Sequence, residues 1–281
     1  MCVCDAVGSM IQTLPEGEPV CGVTSLDNYL FVLRENKSSE QIEVYDIDSY
    51  RAYRLLRYLT VPGLGYRRDI VACRHNRCAY ISDYSHNSVH RVALRDATVT
   101  QWPVHDKPTG LSLTYTHGVL VSCCEVRKIK EFSTDSQLLH VLTLPQDVVS
   151  PWHAVQLSNG QFIVSHGHRA DPSHRVCLIG SDGSVVKSFG GPKGSGSQHV
   201  NTPSHMAVDR NDFVFVVDVY NGRVLLLSPQ LTYVRDVVLR EQLKWWPRRV
   251  HLDSGRGRLY VADNEYKDGK FTAGRVVVVS V

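Results

Sequence analysis

One unit recurs six times along this chain of 281 residues, and it restricts the possible folds more than any other feature of the sequence. Its clearest copy begins at Pro203 and reads PSHMAVDRNDFVFVVDVYNGRVLLL. The copy consists of short apolar runs, rich in β-branched and aromatic residues and separated by turn-forming residues, which is the pattern of short strands. It has no helical period. Each unit is therefore predicted to be a small group of strands joined by turns.

The copies begin near residues 19, 68, 108, 151, 203 and 247. A period of about 40–50 residues with four strands per copy is typical of propeller blades, whereas solenoid repeats of this length are helical. The last copy lacks a fourth strand, and residues 8–15 resemble the fourth strand of an earlier copy. We therefore predict an all-β, six-bladed β-propeller that forms a single domain over residues 1–281, with residues 8–15 as the outer strand of the last blade.

A family resemblance supports this architecture. The matching residues are Phe189-Gly190-Gly191, Pro203, Asp209, Val217-Asp218 and the run from Asn221 to Val224. This stretch resembles an NHL repeat, and the chain is similar to the six-bladed NHL propeller that ends the tripartite-motif (TRIM-NHL) proteins. The resemblance implies a binding module, and NHL propellers include binders of single-stranded RNA.

Composition restricts the class of protein further. No run of about 18 uncharged apolar residues occurs, so we expect no membrane span. The first residues, MCVCDAVGSMIQ, lack the basic and apolar regions of a secretory signal, and eight cysteines are too sparse for a disulfide scaffold. We expect a cytoplasmic, monomeric propeller with reduced thiols. The net charge of +3 is too small for charge alone to indicate nucleic acid binding.

Three aspartates, Asp83, Asp218 and Asp263, each follow an apolar strand and precede a turn. They could form a ring of carboxylates that binds a cation at one mouth of the channel. The alternative is that each carboxylate caps the following turn through backbone N–H groups, as aspartate commonly does. Recurrence at the same turn in several blades favours the structural role.

Two histidines, His153 and His205, occupy the same place in two blades, two residues after a proline. First strands line the channel of a propeller, so these side chains could bind a metal ion. In the amidating lyases, which are propellers of similar repeat, the zinc histidine directly follows the proline, whereas Trp152 and Ser204 do so here. A shift of one residue turns a strand side chain to the other face, and no third matching histidine appears. We therefore predict no metal site and no cofactor.

Basic and aromatic residues concentrate where first strands begin and where second and third strands are joined, and these places should share one face of the ring. Cations attract phosphates and aromatic rings stack on unpaired bases. The predicted binding face consists of Arg67, Arg68, Lys107, Arg127, Lys128, Trp152, His153, His205, Lys244, Trp246, Arg248 and Arg249.

These observations predict a protein that is not an enzyme. The expected function is that of a TRIM-NHL-like scaffold which presents propeller loops to a protein partner. The alternative is single-stranded RNA binding by the basic face. A metal-dependent enzyme of lyase or lactonase type, acting in the channel, is the third and least favoured hypothesis.

Overall fold

Short apolar runs bounded by turns fold here into hairpins, and four consecutive strands make one blade. The computed structural model of the chain describes residues 7–35, 40–48 and 52–281. Over these ranges it contains six four-stranded antiparallel sheets, which confirms the predicted all-β, six-bladed propeller. In the same ranges no helix has the length and apolar character needed to cross a lipid bilayer.

Strands are numbered along the chain, and each blade is given from the channel outwards. Blade 1 contains β2 (Val20–Leu26), β3 (Tyr29–Arg34), β4 (Gln41–Asp46) and β5 (Arg54–Thr60). Blade 2 contains β6 (Arg67–Cys73), β7 (Cys78–Asp83), β8 (Ser88–Ala93) and β9 (Val99–Pro103). Blade 3 contains β10 (Pro108–Leu113), β11 (Val119–Cys123), β12 (Lys128–Phe132) and β13 (Leu138–Thr143).

Blade 4 contains β14 (Pro151–Gln156), β15 (Phe162–His166), β16 (His174–Ile179) and β17 (Val185–Gly191). Blade 5 contains β18 (Pro203–Val208), β19 (Val214–Asp218), β20 (Arg223–Leu227) and β21 (Tyr233–Val238). Blade 6 contains β22 (Trp246–Asp253), β23 (Arg258–Lys267), β24 (Lys270–Ser280) and, on the outside, β1 (Ser9–Thr13). Two 3₁₀ turns, η1 (Val219–Asn221) and η2 (Arg240–Gln242), complete the described elements.

The N-terminal strand closes the ring, as predicted. Strand β1 pairs antiparallel with β24, with Ser9 opposite Ser280 and Thr13 opposite Val277. First and last segments of the chain thus share one sheet, so the ring is held shut by a β-ladder.

The core lies between neighbouring blades. Both faces of a middle strand pack against another blade, so every residue of β7 and of β19 is buried. This explains why the middle strands read as continuous apolar runs instead of alternating patterns. At the closure, Val20 and Leu30 of blade 1 share a buried cluster with Tyr260 and Val278 of blade 6.

A bulge at the same place in all six first strands shapes the channel. The pairing of each first strand with its neighbour shifts register within the first few residues, for example between Arg67 and Asp69 and between Pro151 and His153. The other four shifts are at Val20/Gly22, Pro108/Leu111, Pro203/Met206 and Pro247/Arg249. A bulge bends its strand and re-aims side chains, and here it decides which polar residues reach the channel.

Candidate functional site

Polar side chains in the channel accept hydrogen bonds from backbone N–H groups of neighbouring blades. An innermost strand has a ladder partner on one side only, so its other edge must find acceptors elsewhere. The N–H of Leu111 donates to Asp69 Oδ2 at 2.8 Å, and the N–H of Met206 donates to His153 Nδ1 at 3.3 Å. These contacts join blade 2 to blade 3 and blade 4 to blade 5.

Three of these side chains form a compact buried cluster. The potential ligand atoms of Asp69, His153 and His205 lie within 4.8 Å of one another, and the two imidazole rings stack at 3.8 Å. The N–H of Val250 donates to His205 Nδ1 at 3.5 Å, so the ring proton resides on Nε2. That Nε2–H donates to Asp69 Oδ2 at 3.0 Å.

The tautomer of His153 follows from its hydrogen bonds in the same way. Its Nδ1 is an acceptor, so Nε2–H donates to the carbonyl oxygen of Leu111 at 3.0 Å. A metal ion could bind the cluster only by displacing hydrogen bonds that tie the blades together. We therefore assign these three side chains a structural role in the channel.

The ionisation of the cluster agrees with this role. Burial lowers the pKa of His153 to about 3, and a positive charge on the neighbouring His205 would lower it further, so His153 is neutral at pH 7. Burial alone would raise the pKa of Asp69, but His205 and then Arg249 hold it at about 2. Asp69 is thus a buried carboxylate whose charge is compensated by its neighbours.

A cavity of about 110 Å³ lies beside this cluster and is called the arginine pocket below. Four residues of the predicted binding face line it: Arg68, Trp152, Arg248 and Arg249. The arginines come from the first strands of blades 2 and 6, where successive Arg-Arg pairs fall beside the bulge. The structure brings these four side chains together around one cavity, which the sequence does not indicate.

Four further lining residues come from other segments. His168 and Arg169 follow β15, Tyr220 lies in η1, and Phe271 lies in β24. Phe271 is placed there because β23 and β24 extend beyond the blade into a long hairpin. The turn residues Asp268-Gly269, flanked by Tyr266 and Phe271, are a sequence signal for this hairpin that the prediction missed.

Three buried N–H donors on the residues lining the pocket lack a hydrogen-bond acceptor among the described residues. They are Arg68 Nε, Arg249 Nε and Trp152 Nε1. Arg249 Nε lies 3.7 Å from Asp69 Oδ1, beyond hydrogen-bond distance. Buried donors in proteins are nearly always paired, so three exceptions among the residues that line one cavity point to a ligand. Other buried nitrogens without an acceptor among the described residues, such as Trp102 Nε1 and His174 Nε2, do not line this cavity.

His168 supplies a titratable group to the same cavity. Its ring lies 5.2 Å from that of Trp152. Burial lowers the pKa of His168, and the charge of Arg169 lowers it further, so the imidazole is neutral at pH 7 and can accept a proton. The backbone N–H of His168 donates to Asp171 Oδ2 at 2.7 Å, which fixes the start of the loop.

The remaining predicted face residues lie outside the pocket. Arg67 is buried, and its Nε donates to the carbonyl oxygen of Arg34 at 2.7 Å. Lys107 is half-buried, with Nζ 4.4 Å from the ring centroid of Tyr84. Both cations are therefore held by contacts within the propeller.

The other four are more accessible. Arg127 is exposed and Lys128 is half-buried at the start of β12. Lys244 is exposed and pairs with Glu16 at 2.7 Å, while Trp246 is half-buried. Six of the twelve predicted residues thus gather at the channel, counting His153 and His205 below the pocket, and six do not.

The three aspartates at the ends of second strands cap backbone N–H groups, which supports the structural alternative. The donors differ from those expected, because the main ones precede the first strand of the same blade. Asp83, Asp218 and Asp263 accept from the N–H groups of Gly65 at 2.7 Å, Asn201 at 2.6 Å and Lys244 at 2.9 Å, respectively.

Comparison with known proteins finds no matching family model and no matching curated protein. Solved structures of similar fold include the virginiamycin B lyase from Staphylococcus aureus, in a catalytically inactive histidine-to-alanine form with quinupristin. That chain is 10% identical, has a TM-score of 0.63, and the match covers 98% of both chains. The PQQ-bound aldose sugar dehydrogenase from Streptomyces coelicolor is 13% identical, with a TM-score of 0.67 and coverage of 96% and 98%. The WD40 propeller domain of Doa1 is 12% identical, with a TM-score of 0.61 and coverage of 96% of both chains.

These neighbours correct the functional prediction. The prediction of a non-catalytic, TRIM-NHL-like scaffold, and with it the prediction that the chain is not an enzyme, is wrong, because the similar structures are mainly enzymes. The sequence favoured a scaffold because its repeats indicate only the structure of the blades. The residues around a cavity come from distant parts of the chain and form no local pattern. At 8–13% identity the likeness itself establishes the fold alone.

Proposed function

We propose that this chain is a propeller enzyme whose active site is the arginine pocket and whose chemical step is proton abstraction by His168. The observation that carries the proposal is the set of three buried, unpaired N–H donors around a cavity that also contains a neutral imidazole. The likeness to a lyase that a histidine-to-alanine change inactivates supports histidine chemistry on this fold.

His168 acts as the general base. It removes a proton from the carbon next to a carbonyl group of the substrate, and the electrons of that C–H bond move to the carbonyl oxygen. The resulting enolate reforms the carbonyl group and expels a leaving group from the neighbouring carbon, which leaves a carbon–carbon double bond. The leaving group then takes the proton from His168, so the imidazole ends neutral as it began.

The arginine and tryptophan donors stabilise the charge that develops on the carbonyl oxygen. Arg68 Nε, Arg249 Nε and Trp152 Nε1 are fixed by the surrounding structure, so they need little rearrangement when that charge appears. Each such donor typically contributes about 10²–10³-fold to the rate, and a positioned base about 10²–10⁴-fold.

Proton abstraction can be tested without knowing the natural substrate. A panel of esters, thioesters and carboxylic acids, with and without a leaving group on the β-carbon, is incubated with the protein in D₂O and followed by NMR. We expect deuterium incorporation or elimination for at least one member. His168→Gln should slow that reaction by about 10²–10⁴-fold.

The matched control is His140→Gln, which changes an exposed histidine on the outer strand β13 and should leave the rate unchanged. Absence of exchange and elimination across the panel would contradict the proposal, as would equal rates for the wild type and His168→Gln.

Several finer predictions remain predictions from the sequence. They are the kinship with NHL propellers, the cytoplasmic location, the monomeric state, and the binding of a protein partner or of single-stranded RNA. The arginine pocket neither requires nor opposes them.

A further inference from the structure

The lining of the arginine pocket carries an excess of positive charge. It contains four guanidinium groups, those of Arg68, Arg169, Arg248 and Arg249, and no carboxylate. Two of them have acidic partners outside the lining: Arg248 pairs with Glu35 at 2.8 Å, and Arg249 lies 3.7 Å from Asp69. Among the described residues, Arg68 and Arg169 have no carboxylate within 4 Å.

Aromatic side chains hold the two arginines that have no carboxylate within 4 Å among the described residues, although the charge of Arg68 still helps to lower the pKa of the more distant Glu35. The guanidinium carbon of Arg68 lies 4.6 Å from the ring centroids of both Tyr66 and Tyr84. Arg169 Nε donates to the hydroxyl of Tyr220 at 2.9 Å, Arg169 Nη2 donates to the hydroxyl of Tyr266, and the guanidinium lies 4.7 Å from the ring centroid of Tyr266. Contacts with aromatic rings and hydroxyl groups fix the position of a guanidinium without neutralising it, so the positive charge of both arginines stays available to an anion.

Crowding of positive charge is also visible at the base of the pocket. Burial lowers the pKa of Arg249 to about 10, and among its neighbours the positive charges of Arg248 and then Arg68 lower it while Asp69 opposes them. A bound anion would relieve this repulsion. The cavity, about 110 Å³ in volume, has room for several waters and therefore for an oxyanion head group.

We infer that the substrate of this site carries a permanent oxyanion, a carboxylate or a phosphate, recognised by Arg68 and Arg169 and attached to a flat apolar body. The body packs against Trp152, Tyr220 and Phe271, which are half-buried in the lining. Because Arg forms paired hydrogen bonds to planar and tetrahedral oxyanions alike, both head groups remain in the inference. The role as substrate rests on the proposed function, but the binding of the anion does not.

Binding is measured by isothermal titration calorimetry on the full chain with benzoate and phenyl phosphate, and with benzamide as the neutral analogue. We expect one of the two anions to bind and benzamide to bind at least about 10-fold more weakly, because a hydrogen bond to a charged group contributes about 1.5–3 kcal/mol. The tighter of the two anions identifies the head group. Equal affinity for benzoate, phenyl phosphate and benzamide, or no binding of either anion at millimolar concentration, would overturn the inference.

Variants locate the site. Arg68→Met and Arg169→Met should each weaken binding of the anion by about 10–100-fold. Arg169 is exposed, so its variant should fold even where Arg68→Met does not. Arg127→Met is the matched control, since Arg127 is an exposed arginine outside the lining and should not matter. Unchanged affinity in Arg169→Met together with Arg68→Met, or an equal loss in Arg127→Met, would place the anion elsewhere and refute the inference.

Failure of the two proposals can be told apart, because benzoate has no proton next to a carbonyl group to abstract. Anion binding without any exchange in D₂O would leave the oxyanion site standing and remove the catalytic step. Exchange of a neutral ester without any anion binding would do the reverse.

Discussion

Replacement of Asp69 by asparagine tests the view that the channel cluster is a structural network. Asp69 is 1% exposed, and its carboxylate accepts from the N–H groups of Ile70 at 2.9 Å and Leu111 at 2.8 Å as well as from His205. Asparagine keeps one acceptor oxygen but turns an NH₂ group toward donors on the other side. It also leaves the buried Arg249 without its counter-charge.

Two lines of reasoning, which share the attraction between Asp69 and Arg249, give the expected loss of stability. Breaking a buried ion pair by removing one partner costs about 3–5 kcal/mol, and the 3.7 Å separation from Arg249 favours the lower end. The pKa of Asp69 falls from 3.8 to about 2 on folding, which corresponds to about 2–3 kcal/mol. We therefore expect Asp69→Asn to lose about 3 kcal/mol at pH 7. For 281 residues this is a decrease of about 5 °C in Tm, using about 2.1 cal/mol/K of unfolding entropy per residue.

The pH dependence supplies the sharper test. Because folding lowers the pKa of Asp69, its ionised form contributes stability that is complete above about pH 4 and is lost as the pH falls through about 2. The gap between wild type and Asp69→Asn should therefore shrink by more than half between pH 7 and pH 2.5. Urea unfolding followed by circular dichroism at both pH values measures it.

The control is Asp135→Asn, which changes an exposed turn aspartate and should cost less than about 0.5 kcal/mol at either pH. A loss of under about 1 kcal/mol for Asp69→Asn, or a gap from wild type that does not change with pH, would refute the account of the channel network.

Two further changes probe other parts of the propeller. Burial holds the pKa of His153 at about 3, far below the usual 6.5, so its neutral form contributes stability that is present above about pH 6.5 and falls as the pH drops toward 3. Between pH 7 and pH 5, His153→Gln should therefore lose about 2 kcal/mol less unfolding free energy than wild type in urea titrations. Equal losses in the two proteins would contradict this. Asn264 ties blade 6 to blade 1, accepting from the N–H of Val20 at 2.9 Å and donating to its carbonyl oxygen at 2.8 Å. Asn264→Ala should cost about 2–4 kcal/mol, whereas Asn159→Ala should cost less than about 1 kcal/mol, because the hydrogen bonds of Asn159 to Gln161 lie in an exposed turn. Similar Tm values for the two variants would argue against this contact as a closure element.

The fold could be predicted because each blade repeats the same local information. Prolines, apolar runs and turn residues recur at each copy, so errors in one blade are corrected by the others. First strands begin at Val20, Arg67, Pro108, Pro151, Pro203 and Trp246, within one residue of the starts read from the sequence. Because the last copy lacks a fourth strand, the sequence also predicted that an N-terminal segment, which is β1, completes the last blade.

The site could be predicted only in part. Arg68, Trp152, Arg248 and Arg249, which line the cavity, were singled out because they depart from the repeat near the starts of their blades. Which of two successive residues faces the channel is decided by a bulge, and no local pattern shows where that bulge lies.

The sequence did not indicate which residues outside the first strands reach the pocket, and the reason differs. His168 and Phe271 reach the pocket through a loop and an extended hairpin, whose paths depend on packing between blades. Asp69 has no distinguishing pattern in the sequence, whereas in the structure it is the buried acceptor that joins three strands. The prediction of a non-catalytic scaffold was drawn from the repeats alone, and it is the structural neighbours, which are mainly enzymes, that contradict it.

Pairing of β1 with β24 also sets an order of events during synthesis. Thr13 ends β1 and Lys270 begins β24, so the first partner leaves the ribosome about 260 residues before the second, which takes about 13–50 s at 5–20 residues per second. Through that interval Met10 and Gln12 have no strand to pair with, and the run from Val276 to Val279 later emerges as an apolar β-segment. Until the two meet, β24 offers an open edge of the kind that recruits strands from other chains. Because β1 belongs to the same chain and is held near the folded blades, it can pair with β24 as soon as β24 forms, before a strand from another chain does.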